Sequence, residues 1–280
     1  MQDRIKILIV GNGFGGTYVL KNLHKLLHSD QRVELALVGE KNYFLFTPLL
    51  HEVATGGINP TNIIEPIRKV LGHCLKDFYL GKAELIITQN RTVKVGNISL
   101  PYDYLILTPG AETNFYDIPE ISRHCFTLKS IEDAIKLKNH CIVQMERASH
   151  VINKLERQKM LRFVVVGGGP TGVELVAELQ EFIRGTFSHY YTKEVTEDAS
   201  VVLIEKGEEL MSSFGAKMRK KSSEILQKKG VKVMLNTRVK AVDVSKVVLD
   251  NGASISAETA IWVAGIKPAY LKFDLPFENS

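Results

Sequence analysis

The chain has 280 residues, of which 45% are apolar and 24% charged, and a net charge of +5. That length allows about two domains, and the composition excludes a disordered or collagen-like chain. No run approaches the ~18 consecutive apolar residues of a membrane span, and the small positive charge is too weak to argue for a nucleic-acid partner.

In chain order, Ile5-Lys6-Ile7-Leu8-Ile9-Val10 begins within five residues of Met1, which leaves no room for a signal peptide and predicts an intracellular chain. This strand runs into Gly11-Asn12-Gly13-Phe14-Gly15-Gly16. Thr17 to Leu27 then has the 3.6-residue period of a helix, with Val19, Leu20, Leu23 and Leu27 on one side. A second strand, Val33 to Gly39, ends at Glu40. Residues 42–57 read as an apolar loop or short helix, and Asn59-Pro60 marks a break after them. Ala83 to Leu100 alternates between strand and turn, and Tyr104 to Gly110 is a strand that stops at Thr108-Pro109-Gly110.

Ser130-Ile131-Glu132-Asp133 opens a helix with a capping box, and residues 130–157 are predicted as one helix. Its buried stripe is predicted as Ile131, Ala134, Ile135, Ile142, Met145 and Ala148. The opening pattern then returns. Arg162 to Val166 runs into Gly167-Gly168-Gly169-Pro170-Thr171-Gly172, and Val201 to Ile204 ends at Glu205. Thr237 to Ser256 alternates, turning at Asp250-Asn251-Gly252, and Ala260 to Ala264 stops at Gly265. The basic run Lys217-Met218-Arg219-Lys220-Lys221 and the pair Lys228-Lys229 read as a solvated helix face. The span from Gly11 to Gly110 nearly equals that from Gly167 to Gly265, so the repeat is a duplicated unit rather than a chance motif.

Each copy is a strand, G-x-G-x-x-G, a helix and a strand-end acid, which is the context that turns a weak glycine motif into a dinucleotide-binding fingerprint. The first glycine allows the tight turn, the second lets backbone approach a pyrophosphate, and the third lets helix and strand pack closely. The helix N-terminus supplies free N–H groups and a positive dipole end for the anion. Glu40 and Glu205 are placed to accept hydrogen bonds from ribose hydroxyls. At a nicotinamide site, Glu205 favours NADH over NADPH by repelling a 2′-phosphate, although the adjacent Lys206 softens that preference. The predicted fold class is α/β, with two Rossmann-like dinucleotide-binding domains. Two such sites in one chain imply electrons passing between two cofactors.

The three cysteines, Cys74, Cys125 and Cys141, form no C-x-x-C pair and fit a reducing compartment. Each follows a histidine, but neighbours in sequence point to different faces of a helix or strand. His24 and His28 have the i, i+4 spacing of a zinc pair without a nearby carboxylate or third ligand, so no metal site is expected.

The chain resembles the type II NADH dehydrogenases, single-polypeptide NADH:quinone oxidoreductases of the FAD/NAD(P)-binding, glutathione-reductase-like superfamily. The resemblance covers essentially the whole chain. It is most specific at residues 42–57, Phe126-Thr127-Leu128-Lys129-Ser130, Gly167 to Glu174 and Ile261 to Lys267. It implies an FAD-binding domain over residues 1–118 and an NADH-binding domain over 119–280. Carried over by motif, Gly11, Gly13, Phe14, Gly15, Gly16, Glu40 and Lys41 hold FAD, with Pro109 and Gly110 beside it. Thr47, Pro48 and Thr55 belong to the segment that lines the flavin ring. Gly167, Gly169, Pro170, Thr171, Gly172 and Glu205 hold NADH. Glu174 lies near the nicotinamide as a positioning group, and Ala264-Gly265 is the backbone where the nicotinamide half enters. The implied reaction takes a hydride from NADH to FAD and passes two electrons to a membrane quinone.

Disulfide reductases of this superfamily carry C-x4-C where this chain has Phe46 to Val53, which contains no sulfur. A sulfide:quinone reductase, with Cys125 near the flavin, is a minor alternative, and a ferredoxin-type or apoptosis-inducing-factor-like reductase a further one. The family usually has Ala-Thr-Gly where this chain has Thr108-Pro109-Gly110, and proline removes an N–H donor. The sequence stops at Ser280, where the family re-enters the flavin domain, so a truncated chain with an incomplete FAD domain is expected. The remainder would carry a Gly-Asp motif, part of the quinone site and an amphipathic anchor. These would place the full-length protein in the cytoplasm, peripheral on the inner face of the cell membrane. The resemblance leaves a homodimer open. The alternative from another class is a non-catalytic NADH-binding fragment.

Overall fold

The computed structural model describes residues 4–275, and the chain divides into two compact units. One contains the chain up to Phe46, Thr61–Glu112 and the segment from Lys267 onward; the other contains Thr47–Pro60 and Thr113–Ile266.

In the first unit, β1 (Ile5–Val10), β2 (Val33–Gly39), β3 (Asp77–Leu80) and the closing strand Tyr104–Leu107 form a parallel sheet. Between β3 and that closing strand lies an antiparallel meander of β4 (Ala83–Ile87), β5 (Thr92–Val95) and β6 (Ile98–Pro101), which makes the closing strand β7. The sheet order is β3-β2-β1-β7, with Val10 opposite both Val38 and Leu107. A parallel strand covered on both faces must be apolar throughout, and β1 shows how its faces divide. Leu8 and Val10 pack with Ala83, Ile86, Val93, Val95 and Leu100 of the meander. Ile9 points the other way, into Leu20 of α1 (Phe14–Leu27) and the Ile67–Leu71 helix.

The second unit repeats this plan. Its parallel sheet contains β8 (Cys125–Phe126), β9 (Arg162–Val166), β10 (Ser200–Ile204), β11 (Lys232–Met234) and the closing strand Thr259–Trp262. A second antiparallel meander, β12 (Val239–Val242), β13 (Lys246–Leu249) and β14 (Ser254–Ser256), precedes that closing strand, β15. The sheet order is β8-β15-β9-β10-β11. Val164, Val166, Val202, Ile204 and Trp262 bury one face against the meander's Val239, Val242, Val247 and Leu249. The helices of this unit include α2 (Leu50–Ala54), α3 (Ile131–Ala148), α4 (Lys154–Met160), α5 (Pro170–Glu181) and α6 (Ala216–Lys229). The basic run lies on α6, whose lysines at 217, 220, 221 and 228 are exposed.

Three features differ from the sequence reading. The α/β class and the duplication stand, but the units are discontinuous instead of meeting at residues 118 and 119. Residues 47–60 join the second unit because Leu50, Val53 and Ala54 bury themselves where α2 packs on α3 and α5. The segment from Lys267 joins the first unit because it adds backbone bonds to β4. The Ile86 N–H donates to the Lys272 carbonyl at 2.8 Å, and the Asp274 N–H donates to the Ile86 carbonyl at 3.0 Å.

The helix expected over 130–157 is two helices. Asn153 starts the second by accepting hydrogen bonds from the N–H groups of Leu155 (2.9 Å) and Glu156 (3.2 Å). The buried stripe of α3 also includes Leu137, Cys141 and Gln144, while Ile142 is exposed. The amide of Gln144 donates to Glu258, and so is accommodated in the core. The capping box is present: Ser130 Oγ accepts from the Asp133 N–H, and the Asp133 carboxylate accepts from the Ser130 N–H. Ser130→Ala removes one half of it and should cost about 1 kcal/mol in urea unfolding; an unchanged midpoint would contradict the cap's contribution.

Candidate nucleotide-binding sites

Both glycine loops have the same local geometry. Gly11 and Gly167 take φ of +105° and +117°, the left-handed side that turns the strand into the helix. A Cβ on Gly16 would collide with the Gly11 carbonyl oxygen, and one on Gly172 with the Gly167 carbonyl oxygen. The second glycine of each loop differs: a Cβ on Gly13 or Gly169 would meet nothing within 4 Å. Those two residues are also the N-caps of α1 and α5, and neither helix has a side-chain cap. Each loop therefore presents open space beside uncapped first-turn N–H groups, as an anionic pyrophosphate requires. The helices begin at Phe14 and Pro170, which places Gly15, Gly16, Thr171 and Gly172 in those first turns.

The strand-end acids are held differently. Glu205 is fixed by both oxygens: Oε2 accepts from the Gly168 N–H at 2.6 Å, and Oε1 accepts from the Gly207 N–H at 2.7 Å. In the first unit the loop reaches across instead. Asn12 Nδ2 donates to the carbonyls of Lys41 (2.7 Å) and Tyr43 (3.1 Å), and Glu40 is exposed. The closing strand is pinned to its loop by Thr108, whose hydroxyl donates to the Val10 carbonyl (2.8 Å) and approaches that of Gly11 (3.1 Å).

A cavity of about 400 Å³ in the first unit brings together Gly11, Gly13, Glu40, Pro109 and Gly110 with Asn12, Lys82 and Tyr270. Lys41 lies outside that lining and is exposed. In the second unit a cavity of about 720 Å³ brings together Gly167, Gly169, Pro170, Thr171, Glu205, Ala264 and Gly265. An adjoining cleft of about 190 Å³ shares Thr171, Trp262, Val263 and Gly265 with it and adds Thr47, Pro48, His51 and Glu174. Glu174 Oε2 lies 3.7 Å from His51 Nδ1. Thr55 is not in that cleft. It is buried, its hydroxyl donating to the His51 carbonyl at 3.1 Å, beside a separate cavity with Gly56, Phe182 and Arg184.

Sequence reasoning missed Lys82 in the first unit's cavity and Arg238 and Tyr116 in the lining of the 720 Å³ cavity. Tyr116 and Asp117 have φ of 51° and 57°, and the Tyr116 N–H donates to the Asn114 side chain. Its ring lies edge-on to Trp262, under the Lys206 ammonium (5.5 Å), where a Cβ on Gly265 would stand. No local pattern announces this placement, because the ring's neighbours Trp262, Lys206 and Gly265 are distant in sequence. Cys125 packs against the meander cluster, and burial pushes its thiol up to about 12, as it does that of Cys141. Neither is a thiolate at neutral pH.

The model of the pyridine nucleotide-disulphide oxidoreductase family matches residues 5–275. The chain belongs to that family. Among curated relatives, an external alternative NAD(P)H-ubiquinone oxidoreductase of Arabidopsis thaliana mitochondria is 31% identical over 93% of this chain and 47% of its own length. External NADH-ubiquinone oxidoreductase 2 of Saccharomyces cerevisiae mitochondria is 31% identical over 94% of this chain and 50% of its own. The solved structure of NDH2 from Plasmodium falciparum in complex with NADH superposes with a TM-score of 0.88 at 28% identity, over 96% of this chain and 56% of that one. This family member spans about half the length of the curated relatives it matches.

The two glycine roles separate experimentally. Gly172→Ala forces helix from strand and should cost more than about 2 kcal/mol of stability. Gly169→Ala, in open space at φ −75°, should change stability by less than about 1 kcal/mol. Equal shifts in unfolding midpoint would contradict this assignment.

Proposed function

We propose that this chain is the nucleotide-binding part of an NADH:quinone oxidoreductase, with FAD in the first unit and NADH in the second. The observation that carries the reading is the duplicated loop, since both copies leave space at the second glycine beside uncapped helix N–H groups. The names of the relatives favour NADH and ubiquinone as substrates.

In this reading Gly13 and the first turn of α1 meet the FAD pyrophosphate, and Glu40 accepts from the adenosine ribose. Gly169 and the first turn of α5 do the same for NADH. Glu205 is fixed by two N–H donors, so it accepts ribose hydroxyls and repels a 2′-phosphate. Thr47 and Pro48 are assigned to the flavin ring. Glu174, in the cleft with them, orients the nicotinamide, while the Ala264-Gly265 backbone admits it. Bound FAD would accept a hydride and release two electrons to quinone, and the protein's part is to position and tune it. Among the described residues no helix is long and apolar enough to cross a membrane. In our reading quinone reduction takes place at a membrane surface, the inner face of the cell membrane.

The test is the purified protein's colour and turnover. We expect a yellow preparation that reduces menadione with NADH, faster than with NADPH. Glu174→Ala should slow flavin reduction by about 10–100-fold while FAD stays bound. A colourless protein that binds NADH without turnover would replace this reading with a nucleotide-binding one. Faster turnover with NADPH would overturn the role of Glu205, and unchanged reduction kinetics that of Glu174.

A further inference from the structure

The first unit gathers a set of soft ligands away from its nucleotide cavity. His24 lies in the last two turns of α1, and His73 and Cys74 lie on the short helical turn Gly72–Cys74. One ligand atom from each of the three comes within 4.8 Å of the other two. The His24 ring is 5.5 Å from that of His73 and 5.7 Å from that of His28, one turn further along α1. The third ligand that the His24/His28 pair lacks locally comes from a segment almost fifty residues away.

We propose that His24, His73 and Cys74 bind one transition-metal ion of the zinc class, with water or His28 in the fourth position. Two imidazoles and a thiolate suit Zn²⁺ and exclude Mg²⁺ and Ca²⁺, which take oxygen ligands. Tetrahedral Zn²⁺ at about 2.0–2.3 Å from each ligand separates ligand atoms by roughly 3.3–3.6 Å. The three atoms must therefore close by no more than about 1.5 Å, a side-chain rotation at residues that are partly or fully exposed. His28 Nδ1 faces the Lys25 carbonyl at 3.3 Å, which leaves Nε2 as its coordinating nitrogen. A bound ion would clip the end of α1 to the segment leading into β3. The site stands apart from the nucleotide assignments, because none of its residues lines the cavities described above.

The test uses the full chain without an affinity tag, titrated with Zn²⁺ against a chromophoric chelator, and with Co²⁺ followed by absorption. We expect a tight equivalent of Zn²⁺, a zinc-dependent rise in unfolding temperature, and a sulfur-to-cobalt charge-transfer band. Cys74→Ser should abolish that band. His24→Ala and Cys74→Ser should each weaken zinc by more than the ~10-fold typical of outer-shell changes. His73→Asn, at an exposed position, should do the same where the other variants fail to fold, and Cys125→Ser should behave as wild type. Zinc affinity and stoichiometry unchanged in the variants, or cobalt binding without the thiolate band, would overturn the site.

Discussion

The contact on which each unit turns is between two backbones. The third glycine of each loop sits so close to the carbonyl of the first that a single methyl group would occupy the carbonyl oxygen's place. This approach presses the helix onto its strand and leaves the N–H groups of its first turn aimed at the space beyond the strand end. The parallel sheet, the buried meander and the strand-end acid can be arranged in many ways around an α/β unit. The glycine contact gives this arrangement the open anion-facing space that the proposed pyrophosphate would take.

Given that shared frame, the two copies have diverged in how the loop is tied to the strand end. In the second unit Glu205 makes the tie, and its carboxylate is immobilised by two loop N–H groups. In the first unit Asn12 does so, reaching from the loop to the carbonyls beyond Glu40. In the proposed reading a fixed carboxylate discriminates against an added phosphate, as a site that distinguishes reductants needs. The exposed Glu40 would face no such demand at the proposed cofactor site. The same structural task is thus met by an acid in one copy and an amide in the other, in keeping with the different ligands proposed for them.

The sequence made both loops legible because their constraints fall on adjacent residues: an apolar strand, glycines lacking Cβ, a helix and an acid. The meanders were equally readable from alternation and turn residues at 83–100 and 237–256. What depends on distant partners was hidden. Residues 47–60 are assigned by what α2 packs against, and the end of the chain by a bond to Ile86. Asn153 caps a new helix after α3 has already ended at Ala148, and Gln144 occupies a core position because Glu258 lies opposite. Tyr116 leaves no local trace, since its ring's neighbours are far away in sequence. For the His24–His73–Cys74 cluster the sequence showed the His24/His28 spacing and the His73-Cys74 pair but not that they meet, since His24 and His73 are almost fifty residues apart.

The most direct test of paired cradles is simultaneous equilibrium dialysis of the purified chain with FAD and NADH. Two independent cradles predict one FAD and one NADH bound per chain at saturation, neither displacing the other. A total of one nucleotide per chain, with FAD and NADH competing for it, would contradict the account.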